Sequence, residues 1–204
     1  MRTIRIIEHV SLDGVIQAPG SPDEDAEGGF AHGGWAFPHF DEAVGEAIDA
    51  AHGTRFDLLL GRRTYDIFAS YWPHQTGPMA HSLNAARKHV ATHRPESLGW
   101  GPAEGLGSDI ADGIRRIKAT EGPDLVVWGS STLTPLLIEQ QLADEVVMLV
   151  FPVLIGRGKR IFSDMGAPSE LTLVSSKAAA SGVVISTYKP AGAMRTGTIP
   201  DPVT

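Results

Sequence analysis

The sequence predicts an α/β fold: a mixed sheet that is mainly parallel, ends in an antiparallel C-terminal hairpin and is flanked by about four helices. Two observations support this prediction. Apolar strand patterns alternate with helical patterns over the first two thirds of the chain, as is typical of parallel sheets. The last third contains two alternating strand patterns on either side of Ala180-Ser181-Gly182, which is typical of a hairpin.

Composition narrows the class of protein. The chain has 204 residues, of which 42% are hydrophobic, enough for one globular core. A formal net charge of -7 argues against a nucleic-acid partner, because duplex binding needs a basic surface. The absence of cysteine excludes disulfides and thiolate metal sites, and the histidine spacing predicts no metal centre. With no apolar run of about 18 residues and no leader pattern, we expect no membrane partner and a cytoplasmic protein.

The first strand is predicted from Ile4 to Ile16, with a bend or bulge at Asp13-Gly14. Residues 17–35, which follow, are rich in glycine, proline and acidic side chains. A loop of this length inside a compact domain is usually functional or disordered. We therefore predict an active-site lid, and a disordered acidic insertion is the alternative.

The remaining elements follow from periodicity. Apolar residues spaced by three and four predict helices over 38–52 and 62–71, with a strand over 56–60 between them. Downstream, the predicted elements are strands at 88–92 and near 98–100, a helix capped by Ser108, a strand at 125–128, a helix at 133–138 and a strand at 145–150. The domain is predicted to span 1–189, and 190–204 to form a flexible tail because they lack periodicity.

Two strand-glycine-helix junctions carry the strongest functional signal. They read LLL-Gly61-Arg62-Arg63-Thr64 and VVW-Gly129-Ser130-Ser131-Thr132. At each junction, the glycine permits close backbone approach and the helix begins with unpaired N–H groups, an arrangement that binds phosphate. Two such junctions in one sheet predict a dinucleotide site. In the alternative interpretation, the glycines only form turns and the hydroxyls only cap helices.

Several motifs together resemble the dihydrofolate reductase-like family. They are SLDGVIQ, LLLGRRTYDIF, the strand end Val90-Ala91-Thr92-His93-Arg94, and VVWGSSTLTPLLIEQQLADEVVMLVFPVLIGRGKRIF. The resemblance covers about residues 2–189. Its last motif is more similar to the reductase domain of the riboflavin-biosynthesis deaminase/reductase than to the folate branch.

The resemblance implies a dihydrofolate reductase-like fold and an NADPH-dependent reductase of a small heteroaromatic substrate. The nearest activity is that of 5-amino-6-(5-phosphoribosylamino)uracil reductase. A dihydrofolate reductase-type activity and a noncatalytic nucleotide-binding module are alternatives. Arginines near the adenosine end favour NADPH over NADH, because a 2'-phosphate needs charged partners. The implied cofactor-binding residues are Gly61, Arg62, Arg63, Thr64, Thr92, His93, Arg94, Gly129, Ser130, Ser131, Thr132 and Leu133.

Two aspartates are the predicted catalytic residues. Asp41 follows Trp35 and Pro38 as the acid of the folate reductases does, but one residue later, which rotates its side chain by about 100° on a helix. Glu42 or Glu46 could serve instead, and an acid in the first turn of a helix is favoured by the dipole in any case. Asp13 could face the substrate, or it could belong to the bulge.

Two further expectations concern binding partners. The apolar run DEVVMLVFPVLIG exceeds what one face of a small sheet needs, and it predicts a homodimer through this region. A phosphoribosyl substrate would need a second cationic site, for which the candidates are Arg157, Lys159 and Arg160.

Overall fold

A computed structural model describes residues 1–162 and 168–199. These residues form one eight-stranded sheet and five α-helices. The strands are β1 (Ile4–Ser11), β2 (Phe56–Gly61), β3 (Lys88–Ala91), β4 (Ala103–Gly105), β5 (Asp124–Trp128), β6 (Glu145–Phe151), β7 (Ser169–Ala178) and β8 (Val184–Ala193). The helices are α1 (Glu42–His52), α2 (Arg62–Tyr71), α3 (Pro78–Ala85), α4 (Ile110–Ala119) and α5 (Leu133–Glu139). None of these described helices has the length and apolar character to cross a bilayer.

The strand order is β4-β3-β2-β5-β1-β6-β8-β7. Strands β4 to β6 in this order are mutually parallel, whereas β8 is antiparallel to both β6 and β7. The predicted mixed sheet with an antiparallel C-terminal hairpin is therefore confirmed.

The helices cover both faces of the sheet. On one face α1, α2 and α3 contribute Val44, Tyr65 and Leu83 to one buried cluster. On the other face α4 and α5 contribute Ile114 and Leu137 to a second cluster. After β2 the chain proceeds to β3, whereas after β5 it proceeds to β6 on the opposite side. Ligand crevices of open α/β sheets form where the strand order reverses in this way, beyond the carboxyl ends of the strands.

The structure corrects several predicted boundaries in the first two thirds of the chain. Helix α1 begins at Glu42 rather than 38, because Phe37–His39 forms a separate 3-10 turn and Asp41 caps the helix. Helix α3, opened by Pro78 after the left-handed Gly77, was not predicted. The strand predicted near 98–100 lies instead at β4. Trp100 is buried but does not belong to a strand. Its backbone amide donates a hydrogen bond to the Tyr65 hydroxyl, and its ring N–H donates one to Asn84.

Two further boundaries differ at the strand ends. Strand β1 ends at Ser11, and beyond the bend at Gly14 only Val15 forms a bridge, to Arg160. Strand β8 continues past the predicted domain end at 189, because pairing with β7 extends to Ser169 opposite Ala193. Residues 200–204 of the predicted tail lie outside the described residues, so its flexibility stays a prediction.

Candidate active site

A cavity of about 760 Å³ opens at the carboxyl ends of β1, β2 and β5. The predicted lid forms one wall, since it supplies nine of the lining residues: Gln17, Ala18, Pro19, Gly20, Ser21, Asp23, Glu24, Asp25 and Glu27. The lid is an ordered loop in this structure. Its two ends are joined where Trp35 Nε1 donates a hydrogen bond to the Gln17 carbonyl at 2.8 Å. Its closure over a ligand stays a prediction.

The two predicted junctions touch each other at the floor of this cavity. The Gly61 amide donates to Ser130 Oγ at 2.8 Å, and the Ser130 amide donates to Thr64 Oγ1 at 3.1 Å. The Thr64 and Ser130 hydroxyls also lie 3.1 Å apart. A Cβ added at Gly61 would lie 3.1 Å from Ser130 Oγ, so the close approach depends on glycine. The end of β2 and the start of α2 are therefore joined by hydrogen bonds to the turn that precedes α5.

Most of the implied cofactor residues line the cavity. Those that do so are Gly61, Arg62, Arg63, Thr64, Gly129, Ser130, Ser131 and Thr132. Leu133 does not, because its side chain is buried in the core between α5 and the sheet. Thr92, His93 and Arg94 are also outside the lining.

Arg62 connects the cavity to that second segment. Its guanidinium pairs with Asp66 at 2.9 Å and donates to Thr92 Oγ1 at 3.3 Å, the Arg94 carbonyl at 3.1 Å and Ser97 Oγ at 2.7 Å. These bonds hold a positive charge in a fixed position between the start of α2 and the end of β3. Arg62 therefore joins two of the segments that the resemblance implies for cofactor binding.

A cluster of four charged residues, the lid charge cluster, joins the lid to the rest of the cavity wall. It consists of Asp25 and Glu27 from the lid, Arg63 from α2, and Lys159. Arg63 lies 3.1 Å from Asp25 and 2.9 Å from Glu27, and Lys159 Nζ lies 2.6 Å and 2.5 Å from the same two carboxylates. This pairing could not be predicted from the sequence, because Asp25 and Lys159 are more than 130 positions apart in the chain.

Asp41 is held by two backbone hydrogen bonds outside the cavity lining, and its catalytic role stays a prediction. Its Oδ1 accepts a hydrogen bond from the Val44 amide at 3.0 Å, and its Oδ2 accepts one from the Ser181 amide at 3.0 Å. These bonds lower the pKa of the carboxyl. Asp41 does not line the cavity, and neither do the exposed Glu42 and Glu46. The geometry supports the capping alternative.

Asp13 also lies outside the cavity lining. Its carboxylate accepts hydrogen bonds from Ser11 Oγ at 2.7 Å and from the Ile155 and Gly156 amides at 3.1 and 2.7 Å. The Ser11 bond and the two amide bonds lower its pKa to about 2. Asp13 thus fixes the bend after β1 to the loop that follows β6, which is the structural alternative.

Glu8 is a cavity residue that the sequence interpretation missed. Glu8 is one of the lining residues, and it is only 2% exposed. Its Oε1 accepts a hydrogen bond from Thr134 Oγ1 at 3.0 Å. Burial raises its pKa well above 4.5, although hydrogen bonds from Thr134 and the Gly129 backbone oppose the shift. The available signal was a lone acid inside the apolar strand IRIIEHVS.

The opposite wall of the cavity, here called the aromatic side, is lined by Phe37, Phe40, Phe68, Tyr71, Trp72 and Trp128. His9 and His52 belong to it. The His9 ring lies 5.5 Å from Phe40 and 5.2 Å from Trp128, and its Nε2 is buried without a hydrogen-bond partner. Trp128 Nε1 donates to His52 Nε2 at 2.9 Å. Burial lowers the pKa of each histidine to about 4, so both rings are neutral at pH 7.

Comparison with solved structures identifies the fold as dihydrofolate reductase-like. A putative riboflavin biosynthesis protein from Shewanella sp. PV-4 aligns with a TM-score of 0.64 and 18% identity, covering 93% of this chain and 99% of that one. Dihydrofolate reductase from Enterococcus faecalis, complexed with NADP(H) and RAB-propyl, aligns at 0.58 and 14%, covering 92% and 96%.

The deaminase/5-amino-6-(5-phosphoribosylamino)uracil reductase from Thermotoga maritima aligns at 0.63 and 14%, covering 93% of this chain and 57% of that one. Residues 103–185 match the RibD C-terminal domain family. Protein YyaP of Bacillus subtilis, which has no described function, is 25% identical over 136 residues, 64% of this chain and 72% of that protein. The predicted resemblance to the reductases of riboflavin biosynthesis is confirmed.

Proposed function

We propose that this protein is an NADPH-dependent reductase of a small heteroaromatic compound. The observation that carries the proposal is the pair of glycine junctions, linked through Ser130, at the floor of a cavity where the strand order reverses. Backbone N–H groups at helix starts in this position bind the diphosphate of dinucleotides. The NADP(H) complex of the Enterococcus faecalis dihydrofolate reductase, which shares the fold, adds support.

The residues present fit such a cofactor. Gly61 and Gly129 place no side chain at the two junctions, and Thr64, Ser131 and Thr132 add hydroxyl-bearing residues to the same cavity lining. Arg62 is the fixed cation that would hold a 2'-phosphate through charge-assisted hydrogen bonds. When bound, the cofactor supplies the hydride, and the chain supplies orientation and a proton.

We assign the proton to Glu8. Reduction of a heteroaromatic ring needs an acid that is still protonated at neutral pH, in reach of the cavity. Asp13 and Asp41 have lowered pKa values and lie outside the lining, whereas Glu8 is a lining residue whose burial raises the pKa of its carboxyl and so favours the protonated form. Thr134 holds its carboxyl in place through the hydrogen bond to Oε1.

Cofactor binding provides the direct test. Trp128 lines the cavity, so bound nicotinamide nucleotide should quench tryptophan fluorescence. We expect saturable quenching by both nucleotides, with NADPH binding more tightly than NADH. The absence of saturable binding by either nucleotide would contradict the proposed function. Tight NADPH binding without turnover of pteridine or pyrimidine substrates would instead favour a noncatalytic nucleotide-binding module. This module is the second candidate, because Asp13 and Asp41 have structural hydrogen bonds and lie outside the cavity lining.

We also propose a homodimer, through the edge strand β7 rather than through the predicted β6 region. Strand β6, whose apolar run suggested it, is covered on both faces within the chain, with Val146 and Leu149 in the two buried clusters. Two adjacent apolar side chains are exposed on the edge strand β7, where Leu173 and Val174 are 53% and 54% exposed. We propose that β7 edges pair between two copies. Light scattering should give twice the chain mass of 21.7 kDa, and Leu173→Lys should reduce it to that mass.

A further inference from the structure

The charges and aromatic rings of the cavity also indicate what the enzyme reduces. We propose that the substrate is a planar, uncharged heteroaromatic compound without a phosphate group. This inference rests on the proposed function and names the substrate class of the same cavity. It departs from the phosphoribosyl substrate that appears in the name of the Thermotoga maritima relative.

The first argument is that every described cation in the cavity wall already has a carboxylate partner. The lysines and arginines among the described lining residues are Arg62, Arg63 and Lys159. Arg62 pairs with Asp66, and the other two pair with the acids of the lid. The segments outside the described residues, SDMGA and PDPVT, contain no lysine or arginine in their sequence. Arg62 is assigned to the cofactor in the proposed function, so a substrate phosphate would have to use Arg63 or Lys159 and compete there with the two lid carboxylates.

The arrangement of the lid charge cluster strengthens this argument. Even if Arg63 turned toward a cofactor diphosphate, Lys159 would keep both Asp25 and Glu27 within 2.6 Å of its Nζ. The Asp25 side chain is only 7% exposed, so this pairing is shielded from solvent on the carboxylate side. The two lid acids thus repel a phosphate from the single lysine of the described wall.

The other candidates for a phosphate site do not reach the cavity. Arg157 and Arg160, suggested by the sequence, are exposed and lie outside the lining. Arg160 instead donates to the Asp13 carbonyl and lies 3.6 Å from the Asp13 carboxylate. Of the three predicted cations, only Lys159 is at the cavity, and it is paired.

The second argument comes from the aromatic side, where the structure offers stacking surfaces and neutral polar groups. Phe37, Phe40 and Tyr71 line the cavity and are 61%, 37% and 51% exposed, which is unusual for large apolar side chains in a folded domain. His9 is a lining residue of this side, and its buried Nε2 has no hydrogen-bond partner within the described residues, so its ring adds an uncharged polar group beside the aromatic rings. A flat uncharged ring satisfies both features, whereas a charged group there would lose its hydration without gaining a partner.

The test compares two fluorescent bicyclic ligands that differ only in a phosphate: 6,7-dimethyl-8-ribityllumazine and its 5'-phosphate. Their dissociation constants are measured by fluorescence titration in the presence of saturating NADP+. We expect the wild-type protein to bind the uncharged ligand at least about tenfold more tightly, the size of one lost charge-assisted interaction. Equal or tighter binding of the phosphate, or no binding of either ligand, would overturn the proposal.

A variant with both lid acids neutralised tests the role of the charges separately from recognition of the ring. Asp25→Asn combined with Glu27→Gln leaves Arg63 and Lys159 without carboxylate partners, and we expect the preference to shift toward the phosphate by about tenfold or more. Asp23→Asn is the control, because Asp23 is an exposed acid of the same cavity wall outside the cluster. A shift no larger than that of the control would overturn the assignment of the lid acids.

The two proposals fail in different ways. NADPH binding is titrated on the same preparations in the absence of either lumazine. If NADPH binds and the phosphate ligand is preferred, only the substrate class is overturned. If NADPH does not bind, the proposed reductase function fails, whatever the lumazines show.

Discussion

The two sides of the cavity handle ionisable groups in opposite ways. On the side of the two junctions and the lid, the charged groups remain charged and are paired, as in Arg62 with Asp66 and Lys159 with Asp25. On the aromatic side, burial keeps His9 and His52 neutral at pH 7, and beside the Gly129 junction burial raises the pKa of the Glu8 carboxyl. Under the two proposals, the charged side would hold the polyanionic cofactor. The neutral aromatic side would hold the uncharged ring next to it.

The largest effect should follow from removing the neutral acid. Glu8→Gln keeps the shape and the Thr134 contact but cannot donate a proton, so we expect turnover to fall by about a hundredfold or more. NADPH affinity should change little. Steady-state kinetics and NADPH titration on the same sample separate the two quantities.

Glu8→Asp is the matched variant, because it retains an ionisable acid in a shorter side chain. It should restore part of the activity and give a pH profile with a shifted basic limb. If Glu8→Gln keeps wild-type turnover, another group supplies the proton. The raised pKa of Glu8 would then have no role in catalysis.

The neutral histidines should make the fold sensitive to acid. Their folded pKa values of about 4 lie below the usual 6.5, so the unfolded chain binds more protons than the folded chain between these limits. Stability should therefore be fully present above pH 6.5 and fall as the pH drops toward 4, by on the order of 3 kcal/mol for each histidine. Urea unfolding at a series of pH values measures this dependence.

Glu8 has the opposite sign, which provides an internal check. Its raised pKa stabilises the fold below pH 4.5, and this contribution is lost as the pH rises through the folded value. Glu8→Gln removes this term, so its loss of stability between pH 6.5 and 4.5 should be steeper than that of the wild type. An identical slope in both proteins would show that the Glu8 carboxyl is not held neutral by burial.

On the charged side, Arg62 should determine the choice of cofactor. Arg62→Gln should weaken NADPH binding by roughly ten- to a hundredfold while leaving NADH binding nearly unchanged. Arg62→Lys keeps the charge but loses the fork of donors that reaches Thr92 and Ser97, and an intermediate value is expected. Equal weakening of both nucleotides would show that Arg62 only maintains local structure.

The smallest effect concerns Asp41, which belongs to neither side. Asp41→Ala removes the cap of α1 and the bond to Ser181, and it should cost about 1 kcal/mol of stability. Asp41→Asn preserves the capping oxygen but could not supply a proton. The turnover of Asp41→Asn is corrected for the folded fraction, which thermal unfolding measures. If the corrected turnover equals that of the wild type, Asp41 has only the structural role. If turnover is lost, Asp41 is catalytic.

The sequence predicted the parts of the molecule that depend on local pattern. The α/β order, the terminal hairpin and the two glycine junctions follow from periodicity and from where glycine stands relative to a strand. Helix α3 and strand β4 escaped because their positions depend on long-range contacts, such as those of Trp100 with Tyr65 and Asn84. Propensity carries no information about such contacts.

The candidate site was predictable only in part for the same reason. Residues next to the junctions could be named, because a strand end fixes where the next helix start lies. Glu8 and the lid charge cluster could not, since burial of a carboxyl and pairing between Asp25 and Lys159 arise only after the chain has folded. Asp13 and Asp41 were plausible acids whose capping and loop-fixing bonds became visible only in three dimensions.

Ser130 has a consequence for the thermodynamics of binding. Its left-handed backbone, with φ of 64°, is held by bonds to Gly61 and Thr64 that exist before any ligand arrives. Little ordering of the main chain is then required on association, so the entropic cost falls mainly on the ligand. Calorimetry should accordingly show a smaller unfavourable entropy for the intact protein than for Ser130→Gly, in which the backbone gains freedom and the tie between the two helix starts is lost.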